Sequence, residues 1–257
     1  MAGMYFELTE GGDDLLVLLH GMGATGGIWS PFVDAAPQHW MGRILVVDLP
    51  GHGGSDRLAR YDMPSVVRSV AAVIGNSRST TGGLRILGHS YGGVVALALA
   101  NAQPGAALEG LSADFIYGLG IKTVWTEQEV TGIHRLAQKA PRMFAKREEA
   151  QSWYRKVAGL AALGEAADAC LARGVLAKEE EQWCLSQDPA VNAITPPDMP
   201  ALIQNLQGRY ALAYGEDDGM IDADDLATLD PDVRSIQGGG HNVMVNNPGA
   251  VWTWLGG

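Results

Sequence analysis

One short stretch, Gly88-His89-Ser90-Tyr91-Gly92, constrains the fold of this chain more than any other. A strand-like apolar run at 84–87 precedes it, and a helix-like run at 94–100 follows it. On such a turn the serine is pushed out at the carboxyl end of the strand, and only glycines fit the crowded flanks. The N–H groups behind it open a helix, whose positive dipole end favours negative charge beside the serine. The stretch predicts a strand–turn–helix unit that presents Ser90 as a nucleophile; the alternative is an ordinary glycine-rich turn.

The composition is that of a globular protein and excludes some functions. With 257 residues, of which 47% are hydrophobic and 18% charged, the chain suits one α/β domain with a modest insertion. The net charge of −11 argues against nucleic-acid binding, because no excess of Lys and Arg exists to neutralise phosphates. Cys170 and Cys184 have no C-x-x-C spacing and no neighbouring His, which favours buried thiols over a disulfide or metal site. We therefore predict no metal and no cofactor.

The sequence carries no pattern for export or membrane insertion. Residues 1–7 lack a basic stretch followed by a long apolar run, so we predict that no signal peptide is present. No apolar run approaches the ~18 residues that a membrane-spanning helix needs. We therefore expect a cytoplasmic protein that does not contact a membrane.

Strand-like and helix-like segments alternate along the first 120 residues. Unbroken apolar runs at 15–19 and 43–47 predict parallel strands that are buried on both faces. The apolar stripe at 63–74 predicts a helix, and a further strand is expected at 111–116. This alternation predicts the α/β class, with a doubly wound and mostly parallel sheet.

The pattern changes near residue 121, and no convincing strand follows until about residue 192. The capping-box signature Thr126-x-x-Glu129 predicts one helix, 147–163 a second, and 166–173 and 178–186 two short ones. Strands return at 209–213 and 233–236, and a helix is expected at 248–255. We predict a core made of residues 1–120 and 195–257, with 121–194 forming a small all-helical cap. The cap would cover the carboxyl edge of the sheet, where open α/β sheets keep their sites.

A serine hydroxyl is a poor nucleophile unless a base takes its proton. Of the six histidines, His241 suits this role best, because it follows three glycines directly after the last predicted strand. A base of this kind needs a carboxylate to fix its tautomer and stabilise the imidazolium. Three candidates, Glu216, Asp217 and Asp218, follow the strand predicted at 209–213. The residues alone leave the choice among the three open.

With these residues in place, the chain resembles the α/β-hydrolase fold superfamily over nearly its whole length. The resemblance rests on the order of Ser90, an acid and His241, and on His20-Gly21 after the first buried strand. It rests further on the D-x-P-G-H-G-x-S stretch that begins at Asp48 and on Gly-Gly-His-Asn near the end. It implies an α/β-hydrolase fold with a helical cap and an esterase-like activity.

The resemblance also assigns roles to single residues. It implies Asp218 rather than Asp217 as the acid, and the backbone N–H groups of Met22 and Tyr91 as the oxyanion hole. A serine at position 90 sets the chain apart from relatives of haloalkane dehalogenases and epoxide hydrolases, which need an Asp there. The implied activity is hydrolysis of a small-molecule carboxylic ester through an acyl-enzyme. A lactonase, a thioesterase or a carbon–carbon bond hydrolase would use the same residues.

Two alternatives come from other classes of protein. The glycines of 21–26 form G-x-G-x-x-G after a buried strand, and Asp48 lies 22 residues beyond Gly26, a spacing typical of NAD(P)-binding oxidoreductases. Against this, Gly27 and Pro31 disturb the helix that should begin in the motif, and the stretches around Ser90 and His241 stay unexplained. A non-catalytic small-molecule receptor on the hydrolase fold would keep all the candidate residues.

The predicted cap has a charge of its own. Residues 121–156 carry eight basic and four acidic side chains, a local charge of +4. This excess predicts either attraction of an anionic substrate or merely solvated helix faces. Aromatic residues of the cap are candidates for a substrate pocket, or else they pack the cap onto the core: Trp125, Trp153, Tyr154 and Trp183. The oligomeric state is left open.

Overall fold

The computed structural model describes residues 3–102, 112–206 and 208–256. The strands in these ranges are β1 (Phe6–Leu8), β2 (Gly12–Leu19), β3 (Gly42–Val47), β4 (Leu84–His89), β5 (Phe115–Leu119), β6 (Val175–Ala177), β7 (Trp183–Leu185), β8 (Arg209–Gly215) and β9 (Arg234–Ile236). The α-helices are α1 (Ser30–Asp34), α2 (Met63–Ser77), α3 (Tyr91–Asn101), α4 (Glu127–Ala137), α5 (Arg147–Val157), α6 (Met199–Gln204), α7 (Ala223–Leu229), α8 (Val243–Asn246) and α9 (Pro248–Trp254).

The main sheet has the strand order β1-β3-β2-β4-β5-β8-β9. The strand β1 pairs antiparallel with β3, whereas every other neighbouring pair in this sheet is parallel. After the edge strand β1, the chain enters the middle of the sheet at β2, returns to β3 beside β1, and then crosses to β4 and the far side. The predicted doubly wound, mostly parallel sheet is therefore confirmed, and its carboxyl edge collects the ends of β2, β4, β5 and β8.

The central strand β2 shows why the apolar run had to be buried on both faces. Leu15, Val17 and Leu19 pack into the apolar layer that contains α2 and α3. Leu16 and Leu18 point the other way, into the layer that contains α1, α8 and α9. All five side chains are fully buried. This alternation is the period of two of a β-strand, and it fixes the register of the strand that leads into the site.

The predicted boundaries of one strand shift in the structure. The strand expected at 111–116 is β5, which begins at Phe115, while residue 111 lies outside the described residues. The backbone N–H of Asp114 donates to Leu84 O at 2.7 Å, and its carboxylate accepts from Leu84 N at 2.8 Å. Asp114 thus bonds to the start of β4 through both its backbone and its side chain, and the regular strand β5 begins one residue later.

The region 121–194 contains the two longer helices expected there. The capping box of α4 is present, with Thr126 Oγ1 accepting from Glu129 N at 3.2 Å and Glu129 Oε2 accepting from Thr126 N at 2.8 Å. Helix α5 occupies part of the span predicted at 147–163. The boundaries of the cap, at 120/121 and 194/195, stay predictions.

The prediction of an all-helical cap is wrong at one place. Instead of helices at 166–173 and 178–186, the chain forms the antiparallel pair β6–β7 and three short 3₁₀ turns, Gly164–Ala167, Ala169–Leu171 and Glu179–Glu181. Arg173 adopts a left-handed backbone with φ +60°, which ends any helix there. Gly174 follows, where a Cβ would lie 2.6 Å from the ring of Tyr154, so the chain turns tightly and returns as a strand.

The ion pair between Asp48 and Arg173 joins this region to the sheet. Asp48 follows β3 and is fully buried, and its two carboxylate oxygens accept from Arg173 Nε at 2.7 Å and Nη2 at 3.3 Å. They also accept from Gly26 N at 2.6 Å and Gly54 N at 2.9 Å. Burial raises the pKa of Asp48, but the hydrogen bond from Arg173 and the other nearby partners outweigh it, so that the pKa is lowered. Asp48 is thus a buried anion that depends on its partners.

Replacing Arg173 by Met is expected to lower the free energy of unfolding by about 3–5 kcal/mol, because a buried carboxylate is left without its partner. Since the pKa of Asp48 is lowered by folding, this contribution is present at pH 7 and is lost as the pH falls below about 4. Urea unfolding at pH 7 and at about pH 3 measures both effects. The matched control is Arg155→Met, which removes an ion pair to the mostly exposed Asp168 and should cost at most about 1 kcal/mol. Equal losses in the two variants would contradict this account.

Candidate active site

The turn between β4 and α3 presents Ser90 as the sequence predicts. Ser90 adopts φ +50° and ψ −119°, a conformation that non-glycine residues rarely hold. A Cβ on Gly88 would lie 2.2 Å from Gly92 O, and one on Gly92 would lie 2.3 Å from Leu19 O. The Ser90 N–H donates to Leu119 O at 2.8 Å, which ties the turn to the end of β5. The strand–turn–helix unit and its need for flanking glycines are confirmed.

The loop after β9 brings His241 to the acid that follows β8. His241 Nδ1 lies 2.8 Å from Asp218 Oδ2, and the Asp218 side chain is fully buried. The other carboxylate oxygen of Asp218 accepts from Met220 N at 3.0 Å. Asp217 is exposed, and Glu216 accepts from Gly238 N instead. Among the three acids left open by the residues alone, the geometry therefore pairs Asp218 with His241, and this contact assigns the Nδ1–H tautomer.

Gly120 belongs to this site although the sequence analysis did not single it out. It follows β5 directly and adopts φ +61°. A Cβ at this position would lie 3.3 Å from Asp218 Oδ2 and 3.4 Å from His241 Nδ1. A glycine at the end of a buried strand is the one signal in the sequence that points to such a close approach. The absence of a side chain leaves room for the His–Asp pair beside the sheet.

The two candidate oxyanion donors lie on the segments that border Ser90. A Cβ on Gly21 would lie 3.3 Å from Ser90 Cβ, so the loop that carries Met22 passes directly beside the serine. Tyr91 is the first residue of α3, where backbone N–H groups have no partner within the helix. The structure thus brings both segments to Ser90, and the role of the Met22 and Tyr91 N–H groups as an oxyanion hole stays a prediction.

Two buried histidines shape the loop that carries Met22. His20 Nδ1 donates to Gly21 O at 2.8 Å, and its Nε2 accepts from Leu49 N at 2.9 Å. His52 Nε2 accepts from Gly23 N at 3.3 Å, and its ring lies 5.0 Å from the ring of His20. Burial lowers the pKa of both rings, that of His52 to about 3. Both are therefore neutral at pH 7 and act as fixed hydrogen-bonding spacers.

Two of the four aromatic pocket candidates contact the core. Tyr154 is 1% exposed, and its hydroxyl lies 3.3 Å from Thr25 Oγ1. Burial raises the pKa of Tyr154 to about 12, so that it stays a neutral hydrogen-bonding group. Trp125 is partly buried and packs against the apolar layer of α2 and α3. For both residues the structure supports a packing role, and substrate contact stays a prediction.

The other two aromatic candidates contact cationic side chains. The guanidinium of Arg142 lies 4.6 Å from the ring centroid of Trp153, and the ammonium of Lys156 lies 5.9 Å from it. The guanidinium of Arg147 lies 5.5 Å from the ring of Trp183. Part of the positive charge of residues 121–156 is thus stacked on Trp153 and Trp183. Whether these rings also line a pocket stays a prediction.

The glycine motif at 21–26 does not fold as a dinucleotide site. No helix begins inside it; instead Thr25 caps a 3₁₀ turn over Gly26–Trp29. Asp48, the residue at the ribose-binding spacing, is bound by Arg173 and backbone N–H groups and is closed to a ligand. An NAD(P)-binding site would need a helix that begins in the motif and a free acid at position 48. The structure has neither, so the oxidoreductase interpretation is wrong.

Three further observations concern the described ranges. Cys170 and Cys184 are both buried and free, as predicted. Within 3–102, 112–206 and 208–256, no group of three or more His, Cys, Asp or Glu side chains is arranged to hold a metal ion. No helix in this part of the chain has the length and apolar character to cross a membrane.

The family of the chain follows from a sequence comparison. A model of the Alpha/beta hydrolase family matches residues 16–253. The chain belongs to this family. Over 104 residues this alpha/beta hydrolase is 36% identical to the pimeloyl-[acyl-carrier protein] methyl ester esterase of Methylococcus capsulatus, a stretch that covers 40% of the chain and 37% of that protein. The chain thus matches little more than a third of this curated relative.

Solved structures share the fold at low sequence identity. An esterase of Mycobacterium tuberculosis superposes with a TM-score of 0.75 at 18% identity, covering 98% of this chain and 90% of that one. A thioesterase domain from the curacin biosynthetic pathway superposes with a TM-score of 0.74 at 17% identity, covering 99% and 100%. At these identities the likeness concerns the fold alone.

Replacing Asp218 by Asn is expected to lower kcat for an activated ester by roughly 10³- to 10⁴-fold, because the amide no longer fixes the tautomer of His241. The matched control is Asp217→Asn, which changes the adjacent exposed residue and should leave kcat within about twofold. Initial rates with p-nitrophenyl acetate measure both. A loss in the Asp217 variant as large as that in the Asp218 variant would contradict the pairing.

Proposed function

We propose that this alpha/beta hydrolase cleaves a carboxylic ester of a small molecule, with Ser90 as nucleophile, His241 as base and Asp218 as the partner of the base. The contact of 2.8 Å between His241 Nδ1 and the buried Asp218 carboxylate carries this proposal. It points the Nε2 side of the imidazole away from Asp218, and the half-buried Ser90 lies at the same sheet edge on its strained turn. The name of the Methylococcus relative, a methyl ester esterase, supports an ester as the substrate.

The reaction would proceed in two halves through an acyl-enzyme. Ser90 Oγ attacks the ester carbonyl carbon while His241 Nε2 takes the hydroxyl proton. The tetrahedral oxyanion accepts hydrogen bonds from the backbone N–H groups of Met22 and Tyr91. The intermediate collapses, the carbon–oxygen bond to the alcohol breaks, and the alcohol leaves with the proton from His241. Water then attacks the acyl-enzyme by the same steps and releases the acid and free Ser90.

The burial of Asp218 gives this sequence its electrostatic support. A carboxylate in a site of low dielectric stabilises the imidazolium that forms on His241 more strongly than an exposed one would. Its two oxygens are already engaged, one by His241 and the other by Met220 N. The orientation of the carboxylate is therefore set before substrate binds, and the reaction requires no free energy to reorient it.

Ser90→Ala is expected to leave the fold intact and to lower kcat for p-nitrophenyl esters by several orders of magnitude, because it removes the hydroxyl that forms the acyl-enzyme. Steady-state rates, with circular dichroism as the control for folding, measure this. Retention of more than about a tenth of the wild-type kcat would overturn the nucleophile assignment. A wild-type protein with no turnover of carboxylic esters, lactones or thioesters would instead favour a receptor.

The positive charge of the cap supports an anionic substrate as a finer proposal. Arg142 and Lys156 flank Trp153 in an open groove of about 420 Å³ that is also lined by Glu148 and Glu149. The two carboxylates offset part of the positive charge inside the groove itself. The attraction would therefore act at long range on an approaching substrate and would be screened by salt.

Neutralising two of the eight basic residues of 121–156, Arg142 and Lys146, each to Gln, is expected to raise KM for a carboxylate-bearing ester about three- to tenfold at low salt and to leave KM for a neutral ester unchanged. The difference should fade at about 0.5 M salt. The control is the double variant Arg60→Gln/Arg68→Gln, which removes two exposed charges outside the cap. Equal effects on both esters would show that the cap charges are merely solvated.

A further inference from the structure

His89, the residue before Ser90, forms a hydrogen bond with the backbone of the candidate base. His89 is the last residue of β4 and is 2% exposed. Its Nε2 lies 2.8 Å from the backbone carbonyl oxygen of His241, and the two ring centroids are 4.6 Å apart. A carbonyl oxygen only accepts hydrogen bonds, so His89 Nε2 carries the proton and donates it. The turn that presents Ser90 therefore also holds the backbone of His241.

The other ring nitrogen of His89, Nδ1, makes no hydrogen bond among the described residues, so the bond from Nε2 to His241 O is the one hydrogen bond there that needs a polar side chain. His89 Nδ1 is buried and has no hydrogen-bond partner among the described residues. An unpaired buried nitrogen costs its desolvation energy, which an apolar side chain of similar size would avoid. Burial, and next the nearby His241, hold the pKa of His89 well below its usual range, so the ring is neutral. What an apolar residue would not supply is the donor to His241 O.

A second side chain attaches the same loop to another part of the fold. Asn242 Nδ2 donates to Ala158 O and Gly159 O, both at 3.0 Å, directly after α5. The imidazole of His241 forms a hydrogen bond with the Asp218 carboxylate. The base is thus held at its ring by Asp218, at its own carbonyl by His89, and at the next residue by the segment after α5. Of these three partners, only His89 belongs to the turn that carries the nucleophile.

We propose that His89 is a positioning residue, which sets the distance between Ser90 and His241 by fixing the His241 carbonyl to the Ser90 turn. This inference rests on the proposed function. Without the bond, the remaining contacts of this loop, from His241 to Asp218 and from Asn242 to Ala158 O and Gly159 O, attach it to other parts of the fold and leave its distance from Ser90 less tightly fixed. A shift of about 1 Å in a reacting group lowers the rate by up to about 100-fold.

The test compares two amides of different reach at position 89. In His89→Gln, Nε2 of the amide occupies roughly the place of the imidazole Nε2 and keeps the donor. In His89→Asn, the donor falls near the place of Nδ1 and cannot reach His241 O. We expect kcat for p-nitrophenyl acetate to stay within about threefold of wild type in the Gln variant and to fall about 10- to 100-fold in the Asn variant. KM should change less than about threefold in both.

The same pair is then measured in a His241→Gln background. If His89 acts through His241, His89→Asn should lower the residual kcat there by less than about twofold. An equal loss in both backgrounds, equal activity of the Gln and Asn variants, or failure of both to fold by circular dichroism would overturn the positioning role alone. Wild-type kcat in His241→Gln itself would overturn the proposed function, and the positioning role with it.

Discussion

The contact between His241 and the buried Asp218 is the interaction on which the rest of the site depends. Asp218 follows β8 and His241 follows β9, two neighbouring parallel strands whose carboxyl ends meet at one edge. Ser90 follows β4, which is separated from β8 by β5 alone. Four neighbouring parallel strands, β4, β5, β8 and β9, therefore position these three residues. The apolar residues of these strands stabilise the sheet, and the sheet places the polar groups that follow them.

Close backbone approach is the second physical condition of the site. The Ser90 turn needs a glycine at position 92 because the carbonyl of Leu19 occupies the space of its Cβ, and the His–Asp pair needs one at 120. Neutral buried histidines form hydrogen bonds with the loops of the site. His20 and His52 contact the backbone on either side of Met22, and His89 contacts the backbone of the candidate base. Their lowered pKa values keep positive charge out of this interior.

Much of the fold and part of the site follow from the sequence, for reasons that differ between residues. The alternation of buried strands and helices predicts the sheet, and the crowded glycines around Ser90 predict its turn, because both patterns are local. The choice of Asp218 over Asp217 is not local, since adjacent residues in a turn point in different directions. The pair β6–β7 does not follow from the sequence, because the chain turns at Arg173, with φ +60°, and the ion pair of Arg173 with Asp48, a residue 125 positions away, is not a local pattern.

Covalent labelling tests the central claim, that Ser90 is a nucleophile activated by its surroundings, most directly. The purified protein is incubated with a fluorophosphonate, digested and sequenced by mass spectrometry, beside a heat-unfolded sample. The account predicts one adduct per chain, on Ser90, formed only by the folded protein, and loss of ester hydrolysis in proportion to labelling. An unlabelled Ser90, or full labelling with hydrolysis unchanged, would contradict it.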